Sequence, residues 1–276
     1  MKTQSNMTDN REIKIMLNIN QVYQGDCLEV MKDIPDNSID LTVTSPPYDN
    51  LRKYNGYTFN FEGIAKELYR VTKQGGVVVW VVGDATVNGS ETGTSFKQAL
   101  YFKEIGFNLH DTMIWEKHSF NHDPRNKRYK QHFEYNFILS KGRPKTYNEI
   151  KDVPVKSAGK RYKSSKRLPN GEIRDYGYIT MNDFQARSNI WKIGQDTTNK
   201  HPAPFPEKLA EDHILSWSNE GDIILDPMAG SGTTLKMAKK NNRNYIGIEI
   251  SPEYIDIINK RLSQLTEDNK DTNPKE

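Results

Sequence analysis

The chain is predicted to fold as an α/β domain built on a doubly wound, mostly parallel sheet. Short apolar runs alternate with stretches of helical spacing along most of its length. One run, Val77-Val78-Val79-Trp80-Val81-Val82, is apolar without a break, as a strand covered on both faces must be. Ile223-Ile224-Leu225-Asp226 leads into a glycine turn and then a helix-like stretch, a strand–turn–helix unit that brings backbone N–H groups close to a nucleotide-like ligand. At 276 residues, the expectation is one large domain or one domain with a substantial insertion.

Residues 22–24 and 41–44 read as strands around a short helix over 28–34. Apolar spacing predicts a helix over 61–72 that stops near Gly75-Gly76. The buried strand 77–82 follows, then a helix over 95–105 and strand-like runs at 112–115 and 135–139. A helix over 206–217 precedes the glycine-turn unit, whose own helix covers 235–240. Residues 244–249 read as the next strand. A helix over 252–262, with Ile255, Ile258 and Leu262 on one face, closes the domain. Residues 266–276 read as a frayed polar tail.

Two motifs carry chemistry. Ser45-Pro46-Pro47-Tyr48 closes the apolar run Ile39-Asp40-Leu41-Thr42-Val43. Its prolines fix φ and donate no backbone hydrogen bond, so the segment projects carbonyl oxygens in a set direction. Beside those carbonyls stand the Ser45 hydroxyl and a flat ring at Tyr48. Together they can grip a planar molecule bearing an NH2 group, accepting its two hydrogens and stacking on its face. Taken alone, the segment reads equally well as a loop that ends a strand. The second motif is Asp226-Pro227-Met228-Ala229-Gly230-Ser231-Gly232-Thr233-Thr234, followed by a strand that ends in Glu249. An acid at the end of the strand after a glycine turn sits where a carboxylate binds ribose hydroxyls.

In this order the two motifs resemble the amino-methyltransferases of DNA, which use S-adenosyl-L-methionine to methylate the exocyclic nitrogen of cytosine or adenine. That family's catalytic motif has the form (Asp/Asn/Ser)-Pro-Pro-(Tyr/Phe). A catalytic motif early in the chain and a cofactor motif late is the arrangement of the β group. The resemblance implies a Rossmann-like methyltransferase sheet, circularly permuted, with an inserted target-recognition region. It makes Ser45, Pro46, Pro47 and Tyr48 catalytic, and makes Asp226, Met228, Ala229, Gly230, Ser231, Gly232, Thr233 and Glu249 cofactor-binding. Gln24-Gly25-Asp26-Cys27-Leu28 is similar to the family's N-terminal cofactor segment, so Asp26 and Cys27 join that set. His201-Pro202-Ala203-Pro204-Phe205-Pro206-Glu207-Lys208 resembles the segment that closes over the methionine part, with Lys208 facing its carboxylate. Met228 departs from the family, which usually has Phe there, but keeps the position apolar.

The resemblance also divides the chain: a tail over 1–18, a catalytic half over 19–141, a target-recognition insertion over 142–198, a cofactor half over 199–265 and a tail over 266–276. Its partner is double-stranded DNA, with room for a cognate restriction endonuclease and a homodimer. Ser at the first motif position accompanies cytosine-N4 enzymes more often than adenine-N6 enzymes, so cytosine N4 is favoured and adenine N6 is the alternative. Related enzymes act on RNA or protein, and a nucleotide-binding module without catalysis would explain the glycine turn but not residues 45–48.

Charge is unevenly spread. The net formal charge is +3, yet between Lys117 and Asp175 sixteen Lys and Arg stand against six Asp and Glu. Arg125, Lys127 and Arg128 lie in one basic cluster, and Lys160, Arg161, Lys163, Lys166 and Arg167 in another, with Tyr and Asn between them. Such a pattern suits phosphate and base-edge contacts, whereas alone it reads as a solvated surface. Arg52 and Lys53 are expected in a loop near the DNA or cofactor. The single cysteine cannot form an internal disulfide, which suits the reducing cytoplasm. Residues 1–14 lack a signal-peptide core, and the longest apolar run is too short to cross a bilayer. The histidines lack metal-ligand spacing, and no metal is expected.

Overall fold

The computed structural model of the protein describes residues 17–47, 59–118, 127–194 and 206–271, with the backbone alone over 266–271. The chain runs through β1 (Gln21–Gln24), α1 (Cys27–Met31), β2 (Ile39–Thr44), α2 (Phe61–Val71), β3 (Thr72–Val82) and a small hairpin of β4 (Thr86–Val87) and β5 (Ser90–Glu91). Then come α3 (Thr94–Glu104), β6 (Asn108–Glu116), β7 (Phe133–Ser140), β8 (Lys151–Pro154), β9 (Arg161–Arg167), β10 (Ile173–Thr180), β11 (Phe184–Ala186) and β12 (Ile190–Lys192). The last part is α4 (Glu207–Trp217), β13 (Ile223–Asp226), α5 (Thr233–Lys240), β14 (Asn244–Glu249) and α6 (Pro252–Asp271).

Eight strands form one sheet in the order β1-β14-β13-β2-β3-β7-β6-β12. Only β7 runs antiparallel to its neighbours. Because strand side chains alternate between faces, the unbroken apolar run of β3 feeds two cores. Val77, Val79 and Val81 pack with Leu209 and Ile214 of α4, Leu235 of α5 and Ile258 of α6. Val78, Trp80 and Val82 pack with Leu68 of α2 and Phe102 of α3. The edge-to-face contacts of Phe102 with Phe61 at 5.3 Å and with Trp80 at 5.2 Å tie α2 and α3 to the sheet.

Winding reverses between β13 and β2. From β13 the chain crosses through α5 to β14, and from β2 it crosses through α2 to β3 on the other side. Open α/β sheets bind ligands at the carboxyl ends of the strands at such a reversal. The order also sets the first strand of the sheet beside the last, with Gln24 opposite Glu249.

Three elements depart from the expectations. β3 begins at Thr72, directly after α2: Thr72 pairs with Ile39 and Val77 with Leu41, so the residues between them bulge, with Gly75 at φ +82° making the turn. α6 continues to Asp271 instead of ending near 262, and the first residue that forbids helix beyond it is Pro274. The basic region contains two hairpin pairings outside the main sheet, β8 with β11 and β9 with β10, and returns to the sheet through β12 beside β6. Arg187 fastens that return, donating from Nε to Asp152 at 2.8 Å and from Nη1 to the buried Asp212 of α4 at 2.6 Å. Among the described residues no helix is long and apolar enough to cross a membrane.

Candidate active site

A cleft of about 940 Å³ opens at the carboxyl ends of the central strands. Its walls come from both motifs: Ser45 and Pro47 after β2, Pro227, Met228 and Gly230 after β13, Glu249 at the end of β14, and Asp26 and Cys27 after β1. A second hollow of about 180 Å³, between Tyr147, Trp191 and Trp217, is lined by neither motif.

One hydrogen bond joins the two motifs. Thr44, the last residue of β2, donates from Oγ1 to Asp226 Oδ1 at 2.8 Å, and both residues are buried. The same oxygen accepts from Met228 N at 3.2 Å, which bends the chain out of β13 into the glycine turn. Thr234 Oγ1 completes the junction by donating to the Val43 carbonyl at 3.0 Å. Burial pushes the Asp226 carboxyl up to about 6 against the hydrogen bonds that favour its ionised form.

Glu249 holds the other side of the turn. Its carboxylate accepts from Gly230 N at 2.8 Å and from Ser251 N at 2.9 Å, so both loops are registered on one side chain at the cleft wall. Burial raises its pKa. Gly232 sits at φ +78°, and a Cβ there would lie 2.8 Å from Ile258 of α6, so the turn needs glycine both for its dihedral and for its close approach to the helix. Asp26 caps α1, accepting from Leu28 N at 2.8 Å through Oδ1, and its other oxygen has no hydrogen-bond partner among the described residues. Burial, then the Asp26 charge, pushes the Cys27 thiol up to about 12, which disfavours the thiolate that a nucleophile needs.

The structure sorts the residues picked out by sequence. Ser45, Pro47, Asp26, Cys27, Met228, Gly230 and Glu249 line the cleft. Pro46 is buried beside it. Ala229, Ser231 and Thr233 turn inward and are buried, and Arg261 of α6 donates to the Ser231 carbonyl at 2.6 Å. Asp226 braces the junction from below the cleft wall. Lys208 is not brought into the cleft: it pairs with Asp212 one helical turn along α4, the i,i+4 spacing that lets opposite charges meet on a helix. Tyr48, Arg52, Lys53 and Arg125 lie outside the described residues, as does the segment 201–205. Lys127 is exposed, whereas Arg128 is tied to the small hairpin through Thr86 Oγ1. Lys160, Arg161, Lys163, Lys166 and Arg167 are all exposed on or beside β9.

Sequence reasoning missed a third wall. Phe59, Phe61, Thr94, Lys97 and Tyr101 complete the cleft beside Ser45 and Pro47. Asp84 anchors the start of α3, which carries Thr94, Lys97 and Tyr101, by accepting from Ser95 N at 2.9 Å and from Ser95 Oγ. A signal for Asp84 was present, since it is an acid two residues past a buried strand, as Asp226 and Glu249 are acids at the ends of theirs.

A family profile described as DNA methylase matches residues 39–260. An orphan methyltransferase of Bacillus amyloliquefaciens, M.BamHII, is 61% identical over 242 residues, covering 84% of this chain and 91% of that protein. The type II methyltransferase M.BglII of Bacillus subtilis is 33% identical over 264 residues, covering 91% and 71%. Among solved structures, the PvuII DNA methyltransferase, named as cytosine-N4-specific, superposes with a TM-score of 0.66 at 23% identity and covers 92% of each chain. A putative DNA modification methylase of Thermus thermophilus, complexed with S-adenosyl-L-methionine, gives a TM-score of 0.63 at 26% identity, covering 89% and 93%.

Proposed function

The chain belongs to the DNA methylase family that modifies exocyclic amino nitrogens with S-adenosyl-L-methionine, and on that premise we propose that it is a site-specific methyltransferase of double-stranded DNA whose favoured target is cytosine N4. One observation carries the reading. Ser45 and Pro47 open into the same cleft as Met228 and Gly230, on strands locked together by the Thr44–Asp226 hydrogen bond. Acceptors suited to an amino group therefore face a turn suited to a nucleotide-like cofactor.

The residues present fit the cofactor. Asp26 and Glu249 stand at the ends of neighbouring strands, where one carboxylate can accept from an adenine amino group and the other from ribose hydroxyls. Met228 offers an apolar surface between them. S-adenosyl-L-methionine supplies a methyl group on a positively charged sulfur, so neither a metal nor a covalent enzyme nucleophile is needed.

An exocyclic NH2 is conjugated with its ring and is a poor nucleophile. Ser45 Oγ and the Pro46 carbonyl accept its two hydrogens, favouring a tetrahedral nitrogen whose lone pair leaves the ring and whose developing positive charge faces oxygen atoms. Holding the base against the methyl donor supplies much of the remaining rate. A base within a duplex cannot reach this cleft, so the target is flipped out, and Tyr48 is assigned by its place in the motif to stack on it. The spent proton leaves to solvent, since the Ser45 hydroxyl is too weak a base to keep it.

Residues 142–198 are assigned as the target-recognition insertion, and the protein works in the cytoplasm, where its DNA is. Adenine N6 is the second reading, because a hydroxyl and a carbonyl can hold either amino group. Mass spectrometry of nucleosides from unmethylated DNA incubated with the protein and S-adenosyl-L-methionine tests both. N4-methylcytosine is expected. N6-methyladenine would overturn the choice of base, and no methylated base would overturn the function.

A further inference from the structure

β9 and β10 form a ribbon that stands clear of the main sheet. Apart from the partly covered Ser164, every residue of both strands is exposed. Tyr162, Tyr176 and Tyr178 are among them, and an isolated two-stranded ribbon with that much apolar surface is marginal in water. Such a ribbon is completed by whatever it binds.

Its two faces differ. Cross-strand partners share a face, so Arg161, Lys163 and Arg167 lie on one side with Thr180, Tyr178 and Ile173. There Lys163 is paired with Asp175 at 3.0 Å, and the Arg161 guanidinium sits 5.1 Å from the Tyr178 ring centre. On the opposite side Lys166 stands directly across from Arg174, and Tyr162 pairs with Ile179 farther along the same face, beyond Ser164 and Gly177. Like charges placed directly opposite repel, and among the described residues neither forms an ion pair. Arg174 lies 5.5 Å from the Tyr176 ring centre, a stacking contact that orients the guanidinium plane while leaving its N–H edge available.

We propose that the β9–β10 ribbon enters the major groove of the target duplex with the Lys166–Arg174 face towards the base edges, and that Arg174 is a specificity-determining residue that presents its N–H fork to O6 and N7 of a guanine. The inference rests on the reading of the protein as a site-specific DNA methyltransferase. The major groove is about 12 Å wide and admits a two-stranded ribbon whose strands are about 4.8 Å apart. The duplex supplies the counter-charge, in its phosphates, for cations that the protein leaves uncompensated. The tyrosines gain sugar and base surface in the same step. Arg174 and its strand add half of the reading element to the basic run of β9.

The test is to methylate unmodified genomic DNA with the wild type, Arg174→Ala, Arg174→Lys and Lys163→Ala, and to map every modified position. The wild type should mark one motif that contains guanine. Both Arg174 variants should mark related sequences altered at one guanine position, with discrimination there falling on the order of tenfold to a hundredfold. Arg174→Lys keeps the charge and the surface, so its relaxed motif separates loss of the fork from loss of binding or of folding. Lys163→Ala, on the opposite face, should slow marking without changing the motif. Arg174 variants that mark an unchanged motif with unchanged preference would overturn the ribbon's role. A folded wild type that marks no DNA would instead overturn the function on which it rests.

Discussion

Replacing Asp226 with Asn should stabilise the protein at neutral pH and leave it little changed in acid. Thr44 Oγ1 and Met228 N both donate to the same oxygen, Oδ1, so an amide oxygen can take their place at the junction. The amide NH2 would face Thr234, whose hydroxyl already donates to Val43 and has lone pairs to spare. The variant therefore keeps the hydrogen bonds and loses the buried charge. In the native protein the Asp226 carboxyl is raised from 3.8 to about 6, chiefly by burial. The native fold holds this proton more tightly than the unfolded chain does, so stability from this group is greatest in acid, falls as pH rises from about 4 to about 6 and is level above that. The shift corresponds to about 3 kcal/mol. Urea denaturation of wild type and Asp226→Asn from pH 4 to pH 7.5 should show the stability difference move by about that amount in favour of the variant. A difference that stays flat across the range would mean that the carboxylate is ionised at no cost, and would refute the account of the junction.

Ser45→Ala should lower turnover by roughly a hundredfold while calorimetry finds cofactor affinity unchanged; lost affinity would move Ser45 to the cofactor side. Glu249→Ala should do the reverse, because it frees the Gly230 and Ser251 N–H groups and removes the proposed ribose acceptor, and cofactor affinity should fall at least about tenfold. Gly247→Ala places a Cβ 2.2 Å from Leu235 Cδ1 in the core, an overpacking worth about 1–3 kcal/mol, and an unchanged melting midpoint would show that Leu235 can swing aside. Cys27 should react with iodoacetamide at pH 8 far more slowly than a free thiol does, and rapid alkylation would contradict its raised pKa.

What could be read from the sequence followed the hydrophobic pattern. The central part of β3 was legible because burial on both faces leaves an unbroken apolar run, and the permuted order was legible because the two motifs come in reverse. The β9–β10 ribbon was not, since a strand exposed on both faces shows no apolar alternation to detect. The long β3 was misjudged at its start because Gly75-Gly76 marks a helix stop and a strand bulge alike. The Lys208–Asp212 pair follows from the i,i+4 spacing of opposite charges, visible in the sequence once α4 is read as a helix. The α3 wall of the cleft depended on Asp84 reaching Ser95, a contact between a loop and a helix that no periodicity records.

The pairing of β1 with β14 has a consequence for synthesis. Asp26 is made early and Glu249 late, yet they stand at the ends of adjacent strands, and among the described residues β14 is the sole neighbour of β1 in the sheet. Until the ribosome has passed Glu249, β1 has no partner, and β2 lacks β13 along one edge. A growing or broken chain without β14 therefore lacks Glu249, and with it the carboxylate that holds the glycine turn at the cleft wall. A chain released before Asn244 lacks β14, and with it the strand that β1 and β13 both pair with.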